Sequence, residues 1–297
     1  MADDFCLMHD PDLGYAPKPG FRGSGATGWP VTIDVDGLRS CGESTEGASG
    51  ERPILAVGDS YTFGEEVGDT EAWPARLQQL SGRRVLNGGV SGYGFDQVVL
   101  RAERLAALHE PSLLIVGFIA DDVRRTEMRR LWGRNKPWFG LDSEQLRLAG
   151  VPVPTRRRRA PQWLRPRLDR VLIALPAGLQ HLFGYHVRRH PAGHGLRIAL
   201  CLIERLAQIG ERHRCPVVLL AQYHPQVWSE RAFAAEERRL TALVLDGARK
   251  AGLATVDTFP RFAVEPAAAS FYMNSHLNGR GNAMVASLLA ARLPEFS

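Results

Sequence analysis

The sequence predicts an α/β fold in which a parallel β-sheet is covered by helices on both faces. Five short apolar segments, each followed by turn residues, have the length and composition of buried strands. Helical patterns lie between them, and strands that alternate with helices at these intervals indicate βαβ units. The predicted strands are Pro53–Val57, Arg84–Leu86, Ser112–Phe118, Pro216–Gln222 and Ala254–Thr258. The predicted helices are Trp73–Leu80, Asp96–His109, Leu196–His213, Glu230–Ala251 and a last one from about Arg280 to Ala291.

Two regions lie outside this alternation. Residues 1–52 are rich in Gly, Pro and Asp, with one extended piece at "VTIDVDGL", and we expect an N-terminal lead that packs on the main domain, residues 53–297. Residues 123–195 interrupt the third and fourth units as a long insertion, which is typical of a lid, a specificity element or a docking surface. Its apolar stretch "VLIALPAGLQHLFGY" contains Pro176 and Gly178, which favours a lid helix packed on the body over a helix on a membrane surface.

Charge and composition limit the class of protein and its partners. The net charge is +5, and the excess is concentrated in "TRRRRAPQWLRPRLDR" (155–170). Such a run is most often a solvated face, and we keep an acidic carrier protein or an anionic surface as its partner rather than nucleic acid. The chain shows no signal-peptide pattern and no apolar run of membrane-spanning length, so we expect a cytoplasmic protein without a transmembrane segment. The four cysteines have no metal or redox spacing, and we expect free thiols.

Polar side chains and glycines follow the predicted strands at the point where each strand ends. Gly58-Asp59-Ser60 follows the first strand, and Ser60 is either a nucleophile or only the cap of a helix. The later strand ends carry "NGGVSGYG" (87–94), "GFIADDVRR" (117–125) and "QYHPQ" (222–226), and "HLNGRGN" (276–282) precedes the last helix. Ligands of open α/β sheets bind outside the carboxyl ends of the strands. A hydroxyl, a histidine and glycine amides at one rim are what nucleophilic acyl chemistry requires.

The blocks "GDS", "NGGVSG" and "HLNGRGN" resemble the SGNH (GDSL) hydrolase family, in order, over about residues 53–290. The resemblance implies a flavodoxin-like three-layer α/β/α fold with a five-stranded parallel sheet and a serine esterase or acyltransferase mechanism, without metal or cofactor. Carried over by position, Ser60 is the nucleophile and its N–H one oxyanion donor. Gly92 supplies a second donor through its N–H, and His276 is the general base.

Two positions depart from the family pattern. Asp121 stands at or beside the third oxyanion donor, where a carboxylate cannot donate a hydrogen bond unless it is protonated. Either Asp121 points elsewhere, towards Arg124 or Arg125, or it is neutral, or the hole uses backbone donors alone. Asn274 stands where the family has an acid before the histidine. It could orient His276 by accepting a hydrogen bond, and Asp257 is an alternative acid from the fifth strand end.

The sequence favours an esterase or acyl hydrolase that acts on a small ester or O-acyl group. An acyltransferase would use the same acyl-enzyme on Ser60, resolved by an alcohol instead of water. A catalytically silent binding module is the third hypothesis, favoured by the altered positions Asp121 and Asn274. Trp138 and Phe139 of the insertion are candidates to line an apolar acyl pocket, with a packing role as the alternative.

Overall fold

The computed structural model describes residues 6–42, 51–143, 145–155, 175–176, 179 and 187–296. Its strands are β1 (Leu7–Asp10), β2 (Gly14–Pro17), β3 (Arg22–Ser24), β4 (Pro30–Thr32), β5 (Ile54–Val57), β6 (Val85–Asn87), β7 (Leu113–Phe118), β8 (Met128–Leu131), β9 (Arg134–Asn135), β10 (Trp138–Asp142), β11 (Gln145–Ala149), β12 (Val187–Arg188), β13 (Val217–Ala221), β14 (Ala254–Asp257), β15 (Tyr272–Met273) and β16 (His276–Leu277). Its helices are α1 (Ser60–Phe63), α2 (Trp73–Ser81), α3 (Phe95–His109), α4 (Ala120–Arg125), α5 (Gly195–His213), α6 (Arg231–Lys250), α7 (Phe259–Ala263) and α8 (Gly279–Arg292).

The five predicted strands form one parallel sheet, in the spatial order β6–β5–β7–β13–β14. The strand of this sheet that comes first in the chain is therefore flanked by the second and the third, as in flavodoxin-like folds. The strand order reverses at β5, so the crevice between the loops after β5 and β7 is where such a sheet binds ligands. The predicted fold class is confirmed.

Alternate residues of the sheet face two separate cores, because side chains of a strand point to opposite faces in turn. Leu55 and Val57 face one core, which lies under α3, α5 and α6. Ile54 and Ala56 face the other, which lies under α2 and α8. Strands buried on both faces explain the continuous apolar runs in the sequence, and all five predicted helices are present.

The N-terminal segment packs on the domain through its own short hairpins, β1–β2 and β3–β4. Tyr15 and Leu38 are buried in the core that α3 covers. The predicted extended piece forms β4 but then turns, because the Asp34 carboxylate accepts hydrogen bonds from the backbone N–H groups of Asp36 and Leu38.

Arg39 connects this segment to the loop after α1. Its guanidinium is buried and donates to the carbonyl oxygens of Phe63 (2.7 Å), Gly64 (2.5 Å) and Val67 (2.7 Å), and to the Asp69 carboxylate (3.1 Å). Residues 63–69 thus take their conformation from a side chain of the N-terminal segment.

The described part of the insertion consists of a small sheet, β12–β8–β9, and a hairpin, β10–β11. It is anchored by a buried ion pair at 2.5 Å between Lys136 and Asp96 of α3. The Arg-rich run and the apolar stretch lie outside the described residues, apart from Thr155, Leu175, Pro176 and Leu179. The lid helix therefore stays a prediction. No helix in the described part of the chain combines the length and apolarity that crossing a membrane requires.

Replacing Arg39 with Met should destabilise the protein by about 3–5 kcal/mol, because several buried carbonyl groups lose their donor. The measurement is urea unfolding at neutral pH. The control is Arg212→Met, since the Arg212 side chain is 60% exposed and pairs with Glu103 at the surface. That variant should lose less than about 1 kcal/mol. Equal losses in the two variants would contradict the structural role of Arg39.

Candidate active site

Ser60 lies at the carboxyl edge of the sheet, as the first residue of α1. The cap of this helix is Asp59, whose carboxylate accepts the backbone N–H of Tyr61 at 2.9 Å. A Cβ at Gly58 would come within 2.1 Å of Thr62 Oγ1, so the chain needs glycine to turn from β5 into α1. Because Asp59 performs the capping, the Ser60 hydroxyl does not cap the helix: it lies 3.4 Å from Asp59 Oδ2 and has a second, closer partner.

That partner is His276, whose Nε2 lies 2.8 Å from Ser60 Oγ. His276 begins β16, directly after the tight turn of the β15–β16 hairpin. The hairpin is held against α1 by Tyr61, whose hydroxyl donates to the Ser275 carbonyl at 2.7 Å and whose ring packs against the imidazole. The helix that carries the serine therefore also anchors the histidine.

The other imidazole nitrogen, Nδ1, faces two oxygen atoms. Ser275 Oγ lies 3.2 Å away and Glu66 Oε1 lies 3.6 Å away. The Asn274 amide donates from Nδ2 to Glu66 Oε1 at 3.3 Å, and no hydrogen bond joins it to the imidazole in the described part of the chain. The expected role of Asn274 is corrected accordingly: it supports Glu66. Asp257, the alternative acid, accepts the backbone N–H of Phe259 at the start of α7.

Glu66 was not among the residues that the sequence pointed to. It lies in the loop after α1, in the run "FGEEV", where two adjacent acids would ordinarily be solvent-exposed. Glu66 is instead 4% exposed. Burial raises the pKa of its carboxyl, but the nearby His276 and the Asn274 amide outweigh burial, and the net effect is a pKa below the ordinary value.

Gly92 adopts a left-handed backbone, with φ of 77°, beside the aromatic ring of Trp132. A Cβ at Gly92 would lie 2.1 Å from Trp132 Cζ3, so the indole is in contact with the glycine backbone. Trp132 and Gly133 form the turn between β8 and β9, both with positive φ, as in the tight turns of two-residue hairpins. The insertion thus brings an indole to the glycine that the family pattern assigns to the oxyanion hole.

The Asp121 side chain pairs with Arg124 at 2.9 Å, and Arg124 also pairs with Glu237 at 2.5 Å. Burial raises the pKa of Asp121, but Arg125 and Arg124 outweigh it and the pKa is lowered. An ionised carboxylate accepts hydrogen bonds and donates none. The expected place of the Asp121 side chain in the oxyanion hole is therefore corrected: it has no donor to offer there.

Arg125 connects three of the strand-end loops. Its guanidinium contacts the Asp122 carboxylate at 2.7 Å, the Tyr93 carbonyl at 3.0 Å and the Asp59 carboxylate at 3.7 Å. It also lies under the ring of Trp132, 4.9 Å from the centroid. Burial, together with the charge of Asp59, raises the pKa of Asp122 well above its ordinary value, and burial also raises that of Asp59.

The two aromatic residues predicted for an acyl pocket lie in different environments. Phe139 is fully buried in the core beneath the guanidinium of Arg205, so its expected role in substrate contact is corrected to packing. Trp138 is partly exposed and packs against Arg189 and His190. Among the described residues of the insertion, Trp132 is the aromatic side chain that reaches Gly92.

Known proteins share both the sequence pattern and the fold of this chain. Residues 56–284 match the sequence model of the GDSL-like lipase/acylhydrolase family. Among solved structures, LAE5, an α/β hydrolase enzyme from the metagenome of Lake Arreo, Spain, superposes with a TM-score of 0.52 at 16% identity, over 84% of this chain and 98% of that one. The lipase/acylhydrolase from Enterococcus faecalis gives a TM-score of 0.46 at 13% identity, over 82% and 96%. No curated protein sequence is a significant match.

The contact between Gly92 and Trp132 predicts a coupled loss of stability. Gly92→Ala should cost about 1–2 kcal/mol for the left-handed backbone and a further ~1–3 kcal/mol for the clash with the indole. In a Trp132→Ala background only the backbone cost should remain. Urea unfolding of the double-mutant cycle measures the difference.

The control for the backbone cost is Gly20→Ala. Gly20 has a similar φ of 73°, and a Cβ there would meet no atom within 4 Å. Gly20→Ala should lower the free energy of unfolding by the same amount as Gly92→Ala does in the Trp132→Ala background. If Gly92→Ala lowers the free energy of unfolding equally in the wild-type and Trp132→Ala backgrounds, the contact between Gly92 and Trp132 is contradicted.

Proposed function

This chain belongs to the GDSL-like lipase/acylhydrolase family, and we propose that it is a serine esterase that forms an acyl-enzyme on Ser60. The observation that carries the proposal is the 2.8 Å contact between Ser60 Oγ and His276 Nε2 at the strand-order reversal. A hydroxyl and an imidazole at this separation are within proton-transfer distance. A silent binding module would have no need of this pairing.

In the first half of the reaction, Ser60 Oγ attacks the ester carbonyl carbon while His276 Nε2 takes the hydroxyl proton. The carbonyl oxygen becomes an oxyanion, for which the backbone N–H groups of Ser60 and Gly92 are the proposed donors. The N–H of Ser60 is at the first position of α1, so it has no partner within that helix. When the bond to the alcohol oxygen breaks, the imidazolium returns the proton to that oxygen, and the acyl group stays on Ser60.

In the second half, water attacks the acyl carbon and gives a proton to His276. The bond to Ser60 Oγ breaks, the proton returns to Ser60, and the carboxylic acid leaves. An alcohol in place of water would make the same site an acyltransferase. Both reactions share the nucleophile and the base, so an experiment must determine whether water or an alcohol accepts the acyl group.

We propose short-chain acyl groups as the substrate class. An ester whose carbonyl oxygen lies at the Gly92 amide has the indole of Trp132 as its immediate neighbour. The guanidinium of Arg125 lies against the same ring and holds it in place. A fixed aromatic wall at this position limits the volume next to the reacting carbonyl.

Labelling with a small fluorophosphonate tests the nucleophile. Intact mass spectrometry should find one adduct on the wild type and none on Ser60→Ala. Hydrolysis of p-nitrophenyl acetate by Ser60→Ala should fall at least about 10³-fold, because the covalent route is lost. Ser287→Ala is the control, since among the described residues its hydroxyl bonds to the preceding turn of α8 alone, at the Ala283 carbonyl. An unlabelled wild type, or a labelled Ser60→Ala, would refute the proposal.

The aromatic wall predicts a change in chain-length preference. For Trp132→Ala, the ratio of kcat/KM for p-nitrophenyl hexanoate to that for the acetate should rise at least about tenfold, because each methylene that gains room contributes to binding. Trp138→Ala is the comparison, and its ratio should stay within about twofold of the wild type. A larger shift in Trp138→Ala than in Trp132→Ala would move the pocket to Trp138, as the sequence predicted.

A further inference from the structure

We propose that Glu66 is the carboxylate that positions the imidazole of His276 and stabilises its protonated form. The inference rests on the proposed function, since it assigns the acid that supports the Ser60–His276 pair. Glu66 Oε1 lies 3.6 Å from Nδ1, while the other ring nitrogen, Nε2, contacts Ser60 Oγ at 2.8 Å. The imidazole therefore stands between a nucleophile and an acid, although the family position for the acid holds Asn274.

Burial of the carboxylate supports this role. The Glu66 side chain is almost inaccessible to solvent, and its Oε2 atom has no hydrogen-bond partner among the described residues. A buried carboxylate is costly unless donors or a cation compensate it. Three groups compensate Glu66: the Asn274 amide, at 3.3 Å, the backbone N–H of His276 and the imidazole of His276. The cost of burial is recovered most fully when the imidazole carries a proton, which is the state that the reaction creates.

The backbone around Glu66 is fixed independently of the histidine. Arg39 donates to the carbonyl oxygens of Gly64 and Val67, which lie on both sides of Glu66 in the chain. Gly64 ends α1 in a left-handed conformation, with φ of 88°, and a Cβ there would come within 2.6 Å of Ala72 Cβ. The carboxylate is therefore presented to His276 by a loop whose conformation is constrained from the other side.

The geometry gives each group a distinct task. With a proton on Nδ1 directed to Glu66, Nε2 keeps the lone pair that accepts the Ser60 proton. The separation of 3.6 Å is an ion-pair contact, and catalytic contacts of this kind commonly shorten when substrate binds. Ser275 Oγ, at 3.2 Å from Nδ1, can select the same tautomer, but a hydroxyl brings no charge to stabilise the imidazolium.

The decisive variant is Glu66→Gln, measured by hydrolysis of p-nitrophenyl acetate between about pH 5 and 9, where a histidine base titrates. We expect kcat to fall about 10²- to 10⁴-fold, as when the acid of a serine triad is amidated, with KM within a few-fold of the wild type. The acid limb of the pH–rate profile should move to lower pH. The reason is that the imidazolium loses a neighbouring negative charge and gives up its proton more readily.

Asp59 and His224 are within electrostatic range of the imidazole, and Tyr61 packs on it, so all three stay unchanged in this comparison. The matched control is Glu71→Gln, in the same loop, whose carboxylate accepts the Gly68 N–H. Its pH–rate profile should overlay that of the wild type. A merely structural role of Glu66 would lower the amount of folded enzyme and leave the acid limb in place.

A second test restores activity by placing the acid at another position, so that the result does not depend on whether one variant is stable. The double variant Glu66→Gln/Asn274→Asp places a carboxylate at the family position and should recover at least about tenfold of the lost kcat. Glu66→Asp should retain more activity than Glu66→Gln. Glu66→Gln with the kcat and acid limb of the wild type, or a larger loss in Ser275→Ala than in Glu66→Gln, would overturn the inference.

Fluorophosphonate labelling separates failure of this inference from failure of the proposed function. A wild type that carries the adduct on Ser60, beside a Glu66→Gln variant labelled at the same rate, would refute the role of Glu66 alone. A wild type without the adduct would refute the nucleophile, and the role of Glu66 with it. The expected result is slow but complete labelling of Glu66→Gln at Ser60.

Discussion

One largely buried guanidinium, that of Arg125, connects the loops at the edge of the sheet where the candidate site lies. It contacts Asp59, which follows β5, the Tyr93 carbonyl, which follows β6, and Asp122, which follows β7. Parallel strands end at one edge, but that alone does not hold their loops at fixed separations. A planar cation with several donors can bind three loops at once. It also gives the buried carboxyl groups of Asp59 and Asp122 a charged partner, in addition to the backbone N–H groups of Tyr61 and Ile119 that they accept. The positions of Ser60 and of Gly92 depend on this arrangement.

A second arginine, Arg39, extends the same principle to the loop after α1. The N-terminal segment contributes this side chain to the interior of the domain, where it satisfies carbonyl groups that a short loop cannot pair by itself. The segment is thus part of the structure that supports the candidate site, and it also fills the core beside α3 through Tyr15 and Leu38. The segment is therefore attached to the domain by buried contacts as well as by the chain itself, through the charged Arg39, the aromatic Tyr15 and the aliphatic Leu38.

The sequence predicted the sheet because strands buried on both faces are continuous apolar runs, which can be recognised without knowledge of their neighbours. Ser60 and His276 could be predicted because each lies in a contiguous block at the carboxyl edge. Glu66 and Trp132 could not, since their positions depend on contacts with residues distant in the chain: Arg39 holds the carbonyls on either side of Glu66, and Trp132 packs on Gly92. Two adjacent acids in a loop have no periodicity, and a tryptophan in a hairpin turn is typical of an exposed position. The same dependence on distant contacts corrected Asn274, whose amide is taken by Glu66.

With Glu66 as the acid, the nucleophile and the acid belong to one short stretch of chain, and only the base comes from elsewhere. The hairpin that carries His276 then needs no acid at the position two residues before the histidine, where this chain has Asn274. A search that demands an aspartate in that hairpin would class such chains as pseudoenzymes. Relatives that lack this aspartate are better sorted by the loop after the serine helix. A buried glutamate in that loop is the feature to test in such a relative, by the same Glu-to-Gln substitution that is proposed for Glu66.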